Sequence, residues 1–149
     1  EATRDLDLDF FVLFSSLSAA VGNVGQADYA AANGFMDEFA GWRNERVRAG
    51  ERKGHTLSIR WPLWQQGGMR PDQAGIELLH ETTGIYPMRT RTGMRMFYRS
   101  LARGLDQALV MEGDLAAMQR ALGHGAMLHS ARAMPGPETA TPQAGTPAA

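Results

Sequence analysis

The sequence contains no cysteine and a single lysine, Lys53, among its 149 residues. The absence of cysteine excludes disulfide bonds and thiolate metal sites, and it fits a cytoplasmic location. Lys and Arg together number 15 against 16 for Asp and Glu, so the net charge of −1 offers no general attraction to nucleic acid or to anionic membranes. We therefore expect no nucleic-acid partner.

Several sequence signals are absent as well. No apolar run approaches the roughly 18 residues of a membrane span, and the first residues, Glu1–Asp5, lack the order of a signal peptide, so we expect no membrane partner. His124 and His129 have no acidic or thiol partner nearby, which predicts no metal site. The segment Phe14–Ser18, FSSLS, lacks the G-x-S-x-G pattern of a serine hydrolase.

What the sequence does contain is a strand followed by a hydroxyl pair. Phe10–Phe14 is an unbroken apolar run, which predicts a strand covered on both faces in a parallel sheet. Ser15 and Ser16 follow at its carboxyl end. Ligands bind outside the carboxyl ends of strands in open α/β sheets, so Ser16 is a candidate site residue.

A helix is predicted next, from about Gln26 to Trp42. Tyr29 and Asn33 are four residues apart and share one face of this helix, so we expect the phenol and the amide to face a cleft. The opposite side is expected to pack into the core. Its residues are Ala31, Phe35 and Phe39.

Two further strands complete the predicted α/β architecture. Thr56–Trp61 is the second strand, and the helix before it makes a βαβ unit whose strand ends meet at one rim. Gln107–Met111 is the third strand, and the charged segment Arg43–Gly54 is predicted to be a surface connection. Three more helices are predicted: Asp72–Thr83, Thr92–Arg103 with Met94, Phe97, Tyr98 and Leu101 on its core face, and Leu115–Leu122.

Ser16, thirteen residues before Tyr29, and Asn33, four after it, resemble the serine, tyrosine and asparagine of ketoreductase domains in modular polyketide synthases. These domains belong to the short-chain dehydrogenase/reductase superfamily. The stretches FSS, GQADYAAANGFMDEFA, SIRWPLWQQGGM and TTGIYPMRTRTGMRMFYRSLARGLDQALVMEGD extend the resemblance over roughly residues 7–114. The WPLW and QGGM segments look most like the branch whose acyltransferase is a separate protein.

The resemblance implies the carboxyl-terminal half of a Rossmann-like doubly wound parallel sheet, with about three strands and their helices. Residues 1–114 would be the carboxyl-terminal part of the catalytic domain, 115–133 a short helix and connection, and 134–149 a flexible linker. The linker holds four of the chain's seven prolines. The chain has no initiator methionine and no G-x-G-x-x-G turn. We therefore expect the cofactor-gripping half and the family's lysine upstream, and an isolated chain that is inactive.

The resemblance also implies roles for individual residues. Tyr29 would donate the proton, Ser16 would hydrogen-bond the ketone oxygen, and Asn33 would orient a water or the lysine in a proton relay. NADPH would supply the hydride. The cofactor-side residues would be Trp61, Pro62 and Leu63, with Trp61 or Trp64 as plain core residues the alternative. The substrate lid would be Gly67, Gly68 and Met69, where paired glycines permit hinge motion.

The implied substrate is a β-ketoacyl thioester on an acyl carrier protein, delivered within a synthase whose other domains are partners. Arg95, Arg99 and Arg103 recur every four residues, and this basic stripe faces either an acidic partner such as the carrier protein or solvent. The main alternative function is a catalytically silent structural or carrier-docking subdomain. A nucleic-acid module built on Arg89–Arg103 is disfavoured by the near-zero net charge.

Overall fold

The computed structural model of the chain describes residues 3–22, 25–68 and 72–123. The elements of this part of the chain follow one another in a fixed order. They are β1 (Phe10–Ser16), α1 (Ser18–Val21), α2 (Ala27–Arg48), β2 (His55–Trp61), α3 (Gln73–Thr83), α4 (Thr90–Leu101), β3 (Gln107–Leu109) and α5 (Leu115–Gly123). Among these residues, no helix combines the length and apolar character that crossing a bilayer requires.

The three strands form one parallel sheet in the order β1-β2-β3. The α/β fold with three parallel strands is therefore confirmed. In the register between β1 and β2, Ser15 pairs with Arg60 and Ser16 pairs with Trp61. The carboxyl ends of both strands consequently lie on the same rim of the sheet, as the βαβ prediction required.

Helices cover both faces of the sheet. On one face, Leu57, Ile59 and Trp61 of β2 form an apolar core with Met88 and Val110, and Met96, Phe97 and Leu101 of α4 pack on it. On the other face lies α2, which contacts β1 and β2. The chain moves in one direction from β1 to β3 while α2 and α4 lie on opposite faces. The two crossovers therefore have opposite hands, although parallel crossovers are nearly always right-handed.

A second apolar cluster lies beyond the rim. Ile85, Met118 and Ala121 are its buried members. Residues from α1 and α3 and from the segment after β3 pack around it: Leu17, Val21, Leu79 and Met111. Helix α5 thus packs on α3, while residues 124–149, including the predicted linker, lie outside the described residues.

Strand β1 differs from its prediction. Phe10 and Phe14 are more than half exposed, at 53% and 59%, because β1 is the edge strand of the described sheet and has a neighbour on one side only. The expectation of a strand fully covered on both faces was wrong for these two side chains.

Helix α2 differs more. It continues to Arg48, six residues past the predicted end, and Phe35 is 69% exposed. The face expected in the core was therefore the wrong one. The buried residues of α2 are Asn33, Asp37, Ala40, Arg43 and Asn44. Arg43 and Asn44 had been assigned to a surface connection, and they are buried because the sheet offers them hydrogen-bond partners.

The core face of helix α4 also differs from the prediction, although by less than that of α2. Met94 and Tyr98 are 46% and 64% exposed, so they do not belong to the core face, whereas Phe97 and Leu101 do. The helix also begins at Thr90, two residues before its predicted start at Thr92.

Gly93 of α4 provides a test of this packing. A Cβ built at Gly93 would overlap the Trp64 indole ring. We expect Gly93→Ala to lower the free energy of unfolding by about 1–3 kcal/mol through overpacking, although alanine favours a helix by about 1 kcal/mol over glycine. The matched control is Gly34→Ala in α2, where an added Cβ meets nothing within 4 Å. Urea unfolding should show an equal or higher free energy of unfolding in the control. A Gly93→Ala variant as stable as the parent would contradict the close packing of Gly93 against Trp64.

Candidate active site

Ser16 ends strand β1 at the rim of the sheet. Its Oγ accepts hydrogen bonds from the Ser18 main-chain nitrogen at 3.2 Å and from the Ser18 Oγ at 2.9 Å. Because both contacts use the oxygen of Ser16 as acceptor, its own proton remains available to donate. Ser18 was missed as a supporting residue, although a hydroxyl two residues after a serine is a known local hydrogen-bonding pattern.

Tyr29 and Asn33 lie in the first half of α2. The Tyr29 side chain is 37% exposed, and no described residue hydrogen-bonds its hydroxyl. Asn33 is buried, and its Nδ2 donates to the Tyr29 main-chain carbonyl at 2.8 Å. This contact leaves Asn33 Oδ1 without a partner among the described residues, so that oxygen can still accept a hydrogen bond.

A hydrogen bond ties this part of α2 to the strand. Ser15 is buried, and its Oγ donates to the main-chain carbonyl of Asn33 at 3.2 Å. Ser15 precedes Ser16, so the bond holds the Tyr29–Asn33 turn of the helix beside the end of β1. The structure thus brings all three predicted catalytic residues to one end of the β1–α2 unit.

The predicted cofactor-side residues follow β2. Trp61 is 6% exposed and belongs to the apolar core, where its ring lies 5.6 Å from Phe14 and 5.1 Å from Trp64 between centroids. Its indole N–H is buried with no partner among the described residues. Pro62 is buried and Leu63 is half-buried at the rim, where the Leu63 carbonyl accepts from the Met88 N–H at 2.7 Å.

The predicted lid residues lie in the next turn. A Cβ at Gly67 would come 3.1 Å from the Trp64 Cβ, whereas a Cβ at Gly68 would meet nothing within 4 Å. Met69 lies outside the described residues. The loop contacts α4 through a 3.2 Å hydrogen bond from Thr90 Oγ1 to Gln66 Oε1.

The start of α4 is fixed to the same rim by Glu112. This carboxylate accepts from the Arg89 main-chain N–H at 2.8 Å, from Arg89 Nε at 2.6 Å and from Thr92 Oγ1 at 3.2 Å. Burial acts to raise the pKa of Glu112, but these hydrogen bonds and the Arg89 charge outweigh it and hold the pKa below its usual value. Within the described ranges, no group of three His, Asp or Glu side chains could hold a metal ion.

Comparison with known proteins identifies the architecture. A sequence model of the family described as "KR domain" matches residues 1–66. Polyketide synthase PksN of Bacillus subtilis is 52% identical over 122 residues, which are 82% of this chain and 2% of that synthase. Polyketide synthase ThaG of Burkholderia thailandensis is 47% identical over 118 residues, 79% of this chain and 2% of the relative.

Solved structures agree with the sequence relatives. A ketoreductase domain from the bacillaene assembly line superposes with a TM-score of 0.78 at 45% identity, over 80% of this chain and 28% of that one. The first ketoreductase of the tylosin polyketide synthase gives a TM-score of 0.62 at 31% identity, over 83% and 26%. The chain therefore belongs to the ketoreductase domains of polyketide synthases, and it spans little more than a quarter of these solved chains.

The Glu112 contacts generate a pH prediction. The folded-state pKa of Glu112 is the lowered one, so its stabilisation is complete above the unfolded-state pKa of about 4.3 and is lost as pH falls through the folded value. We expect Glu112→Gln to cost about 1–3 kcal/mol at neutral pH. The difference from the parent should shrink below about pH 4.

Urea unfolding at several pH values measures this difference. The Glu81 side chain is exposed and makes no hydrogen bond or ion pair with a described residue, so Glu81→Gln is the control. A Glu112→Gln deficit that stays constant down to about pH 3 would contradict the assignment.

Proposed function

We propose that this chain is the carboxyl-terminal part of a ketoreductase domain that uses NADPH to reduce a carrier-bound β-ketoacyl thioester to the β-hydroxyacyl form. The domain would work in the cytoplasm, within a synthase whose acyltransferase is a separate protein. The observation that carries the proposal is the pair of hydroxyls, Ser16 and Tyr29, each with a proton free to donate. The same free hydroxyls argue against a catalytically silent subdomain.

Reduction of a ketone needs a hydride on the carbonyl carbon and a proton on its oxygen. In our proposal Ser16 donates a hydrogen bond to that oxygen as negative charge develops on it, and Ser18 holds the serine oxygen in place. Tyr29 transfers the proton as general acid. Asn33 accepts a hydrogen bond at Oδ1 from the water or lysine that returns a proton to Tyr29.

The lysine of that relay would come from outside this chain. Lys53 precedes β2 at the end of the sheet opposite Ser16, where it pairs with Asp7 at 3.1 Å. We therefore assign Lys53 a surface role.

The fit to NADPH is partial, and it is carried by the rim after β2. Leu63 is half-buried at the rim, next to the buried Pro62 and beside the Ser16–Trp61 pair, and its exposed part offers an apolar surface that suits the nicotinamide end of the cofactor. Trp61 would support that surface from the core below. The sequence contains no G-x-G-x-x-G turn for the pyrophosphate, so the remaining cofactor contacts would belong to the rest of the domain. When bound, NADPH supplies the hydride.

The lid is proposed to hinge at the paired glycines. A Cβ added at Gly68 would meet nothing within 4 Å, whereas one added at Gly67 would lie against Trp64, so we place the hinge at Gly68. Met69, the next residue in the sequence, is proposed to contact the substrate.

The carrier protein is proposed to approach along α4. The stripe consists of exposed arginines whose guanidinium groups make no hydrogen bond or ion pair with a described residue: Arg91, Arg95, Arg99 and Arg103. Like charges four residues apart destabilise a helix by about 0.2–0.5 kcal/mol per pair, so an acidic partner would relieve the repulsion. The amino-terminal end of this stripe lies beside the Gln66 loop, near the proposed lid.

The central prediction concerns Tyr29→Phe in the complete domain that contains this chain. Loss of the general acid should slow reduction by about 10²–10⁴-fold. Melting temperature and NADPH affinity should be nearly unchanged, because the hydroxyl contacts no described residue. The assay follows NADPH consumption on a β-ketoacyl thioester analogue.

Tyr98→Phe removes an equally unpaired hydroxyl from α4 and serves as the matched control, with parental turnover expected. Turnover of the Tyr29→Phe domain within about threefold of the parent would contradict a general-acid role for Tyr29.

A second prediction separates docking from catalysis. The double reversal Arg95→Glu, Arg99→Glu should raise the KM for the carrier-bound thioester about tenfold at low salt, an effect that salt should weaken. kcat/KM for a small free thioester should stay at the parental value. Arg48→Glu, at the carboxyl end of α2, is the control and should change neither substrate's kinetics.

Two results would contradict the docking proposal. An unchanged KM for the carrier-bound substrate would mean that the arginine stripe faces solvent and does not bind the carrier protein. Equal losses on both substrates would mean that the reversal disturbs the active site rather than docking.

A further inference from the structure

We propose that Asp37 is a positioning residue that fixes the rotation and height of α2, and thereby the place of the Tyr29 hydroxyl relative to Ser16. The inference rests on the proposed function for the roles of those two hydroxyls. Its own support is a closed ring of hydrogen bonds that joins α2 to β2 and β3.

Three side chains, Asp37, Arg60 and Gln107, close the ring, and Ser58 bonds to Asp37 from outside it. Asp37 is 1% exposed; its Oδ1 accepts from Ser58 Oγ at 2.7 Å and its Oδ2 accepts from Arg60 Nε at 2.7 Å. Arg60 Nη2 donates to Gln107 Oε1 at 2.7 Å. Gln107 Nε2 returns to the main-chain carbonyl of Asp37 at 2.9 Å. Both the side chain and the main-chain carbonyl of Asp37 therefore attach helix α2 to the sheet.

This ring lies on the same helix face as the proposed chemistry. Asp37 follows Asn33 by four residues and Tyr29 by eight, which places it about 12 Å along the axis from Tyr29. The ring also lies near Ser16 on the sheet side, because its member Arg60 pairs in register with Ser15, the neighbour of Ser16. A shift of Asp37 against β2 is thus transmitted through one rigid helix to Tyr29.

Directional bonds are what this role requires. An apolar helix face can slide or rotate by small amounts against a sheet while keeping most of its contact, whereas a carboxylate with two charge-assisted or hydroxyl donors has one good geometry. Burying an ion pair adds little net stability, so we explain the Asp37–Arg60 pair by the position that it specifies for the helix. Misplacement of a reacting group by about 1 Å can cost 10²-fold in rate.

The far end of α2 has a comparable polar contact, which supplies a control. Asn44 Nδ2 donates to the Thr56 carbonyl at 2.7 Å and to Asp106 Oδ1 at 2.8 Å, and Asn44 Oδ1 accepts from the Thr56 N–H at 2.7 Å. Asn44 is as buried as Asp37 but lies fifteen residues from Tyr29, about 22 Å along the helix axis.

The test compares Asp37→Asn with Asn44→Ala in the complete domain. Asparagine keeps the acceptor for Ser58 but sets an N–H₂ group against Arg60 Nε. We expect kcat on the free thioester analogue to fall about 10–100-fold, with its KM and the NADPH Kd within about threefold of the parent. Asn44→Ala should lower the melting temperature at least as far while keeping kcat within about twofold of the parent.

Hydrogen exchange provides a readout that does not need activity. Amide exchange over residues 27–37 should accelerate in Asp37→Asn, and in Asn44→Ala the acceleration should be confined to the carboxyl end of α2. If the parent itself fails to reduce the thioester, the proposed function falls, and exchange over residues 27–37 still decides whether Asp37 fixes the helix.

Three results would overturn the inference: kcat within about threefold of the parent in Asp37→Asn, an equal kcat loss in Asn44→Ala, or parental exchange over residues 27–37. If Asp37→Asn does not fold, Gln107→Met opens the ring while keeping the carboxylate and its arginine. The same loss of kcat without a change in KM is then expected, at about threefold, and parental kcat in that variant would overturn the inference.

Discussion

Strand β2 divides the described part of the molecule into two interiors of opposite chemistry, and the placement of Tyr29, Asn33 and Trp61 depends on this division. Leu57, Ile59 and Trp61 point to an apolar interior under α4. The alternating residues Thr56, Ser58 and Arg60 point to a polar interior under α2. Both are largely covered, so the alternation of β2 reflects two kinds of packing rather than one wet and one dry face.

The two interiors meet at the carboxyl rim, where the candidate site lies. The polar side brings Asn33 and Tyr29 to the end of β1 through directional hydrogen bonds. The apolar side brings Trp61 to the rim through close packing, and Pro62 and Leu63 follow it in the chain. In the proposed function, a proton-donating group and an apolar surface for a flat ring would therefore be presented from opposite faces of the same sheet.

The sequence predicted the elements well because local signals specify them. Apolar runs and glycines marked the strands and their ends. The helix predicted over residues 72–83 is α3, and the structure adds that Asp72 is its N-cap, accepting a hydrogen bond from the Gly75 N–H. The orientation of α2 could not be predicted this way. Its aromatic side has the composition expected of a core face. The sheet residues that bind Asp37 on the opposite side, Ser58 and Arg60, lie more than twenty positions from it in the sequence. The free hydroxyl of Tyr29 likewise follows from that orientation.

The polar interior under α2 has a consequence for exchanging parts between related synthases. A chimera could take α2 from one parent and β2–β3 from another. The Asp37 carboxylate would then face whatever residue replaces Arg60, and a mismatched pair would be buried between the helix and the sheet. Recombination boundaries are therefore better set outside residues 27–107. The chimera would then take all of these residues from one parent, so the hydrogen-bond donors and acceptors between α2 and the sheet would match.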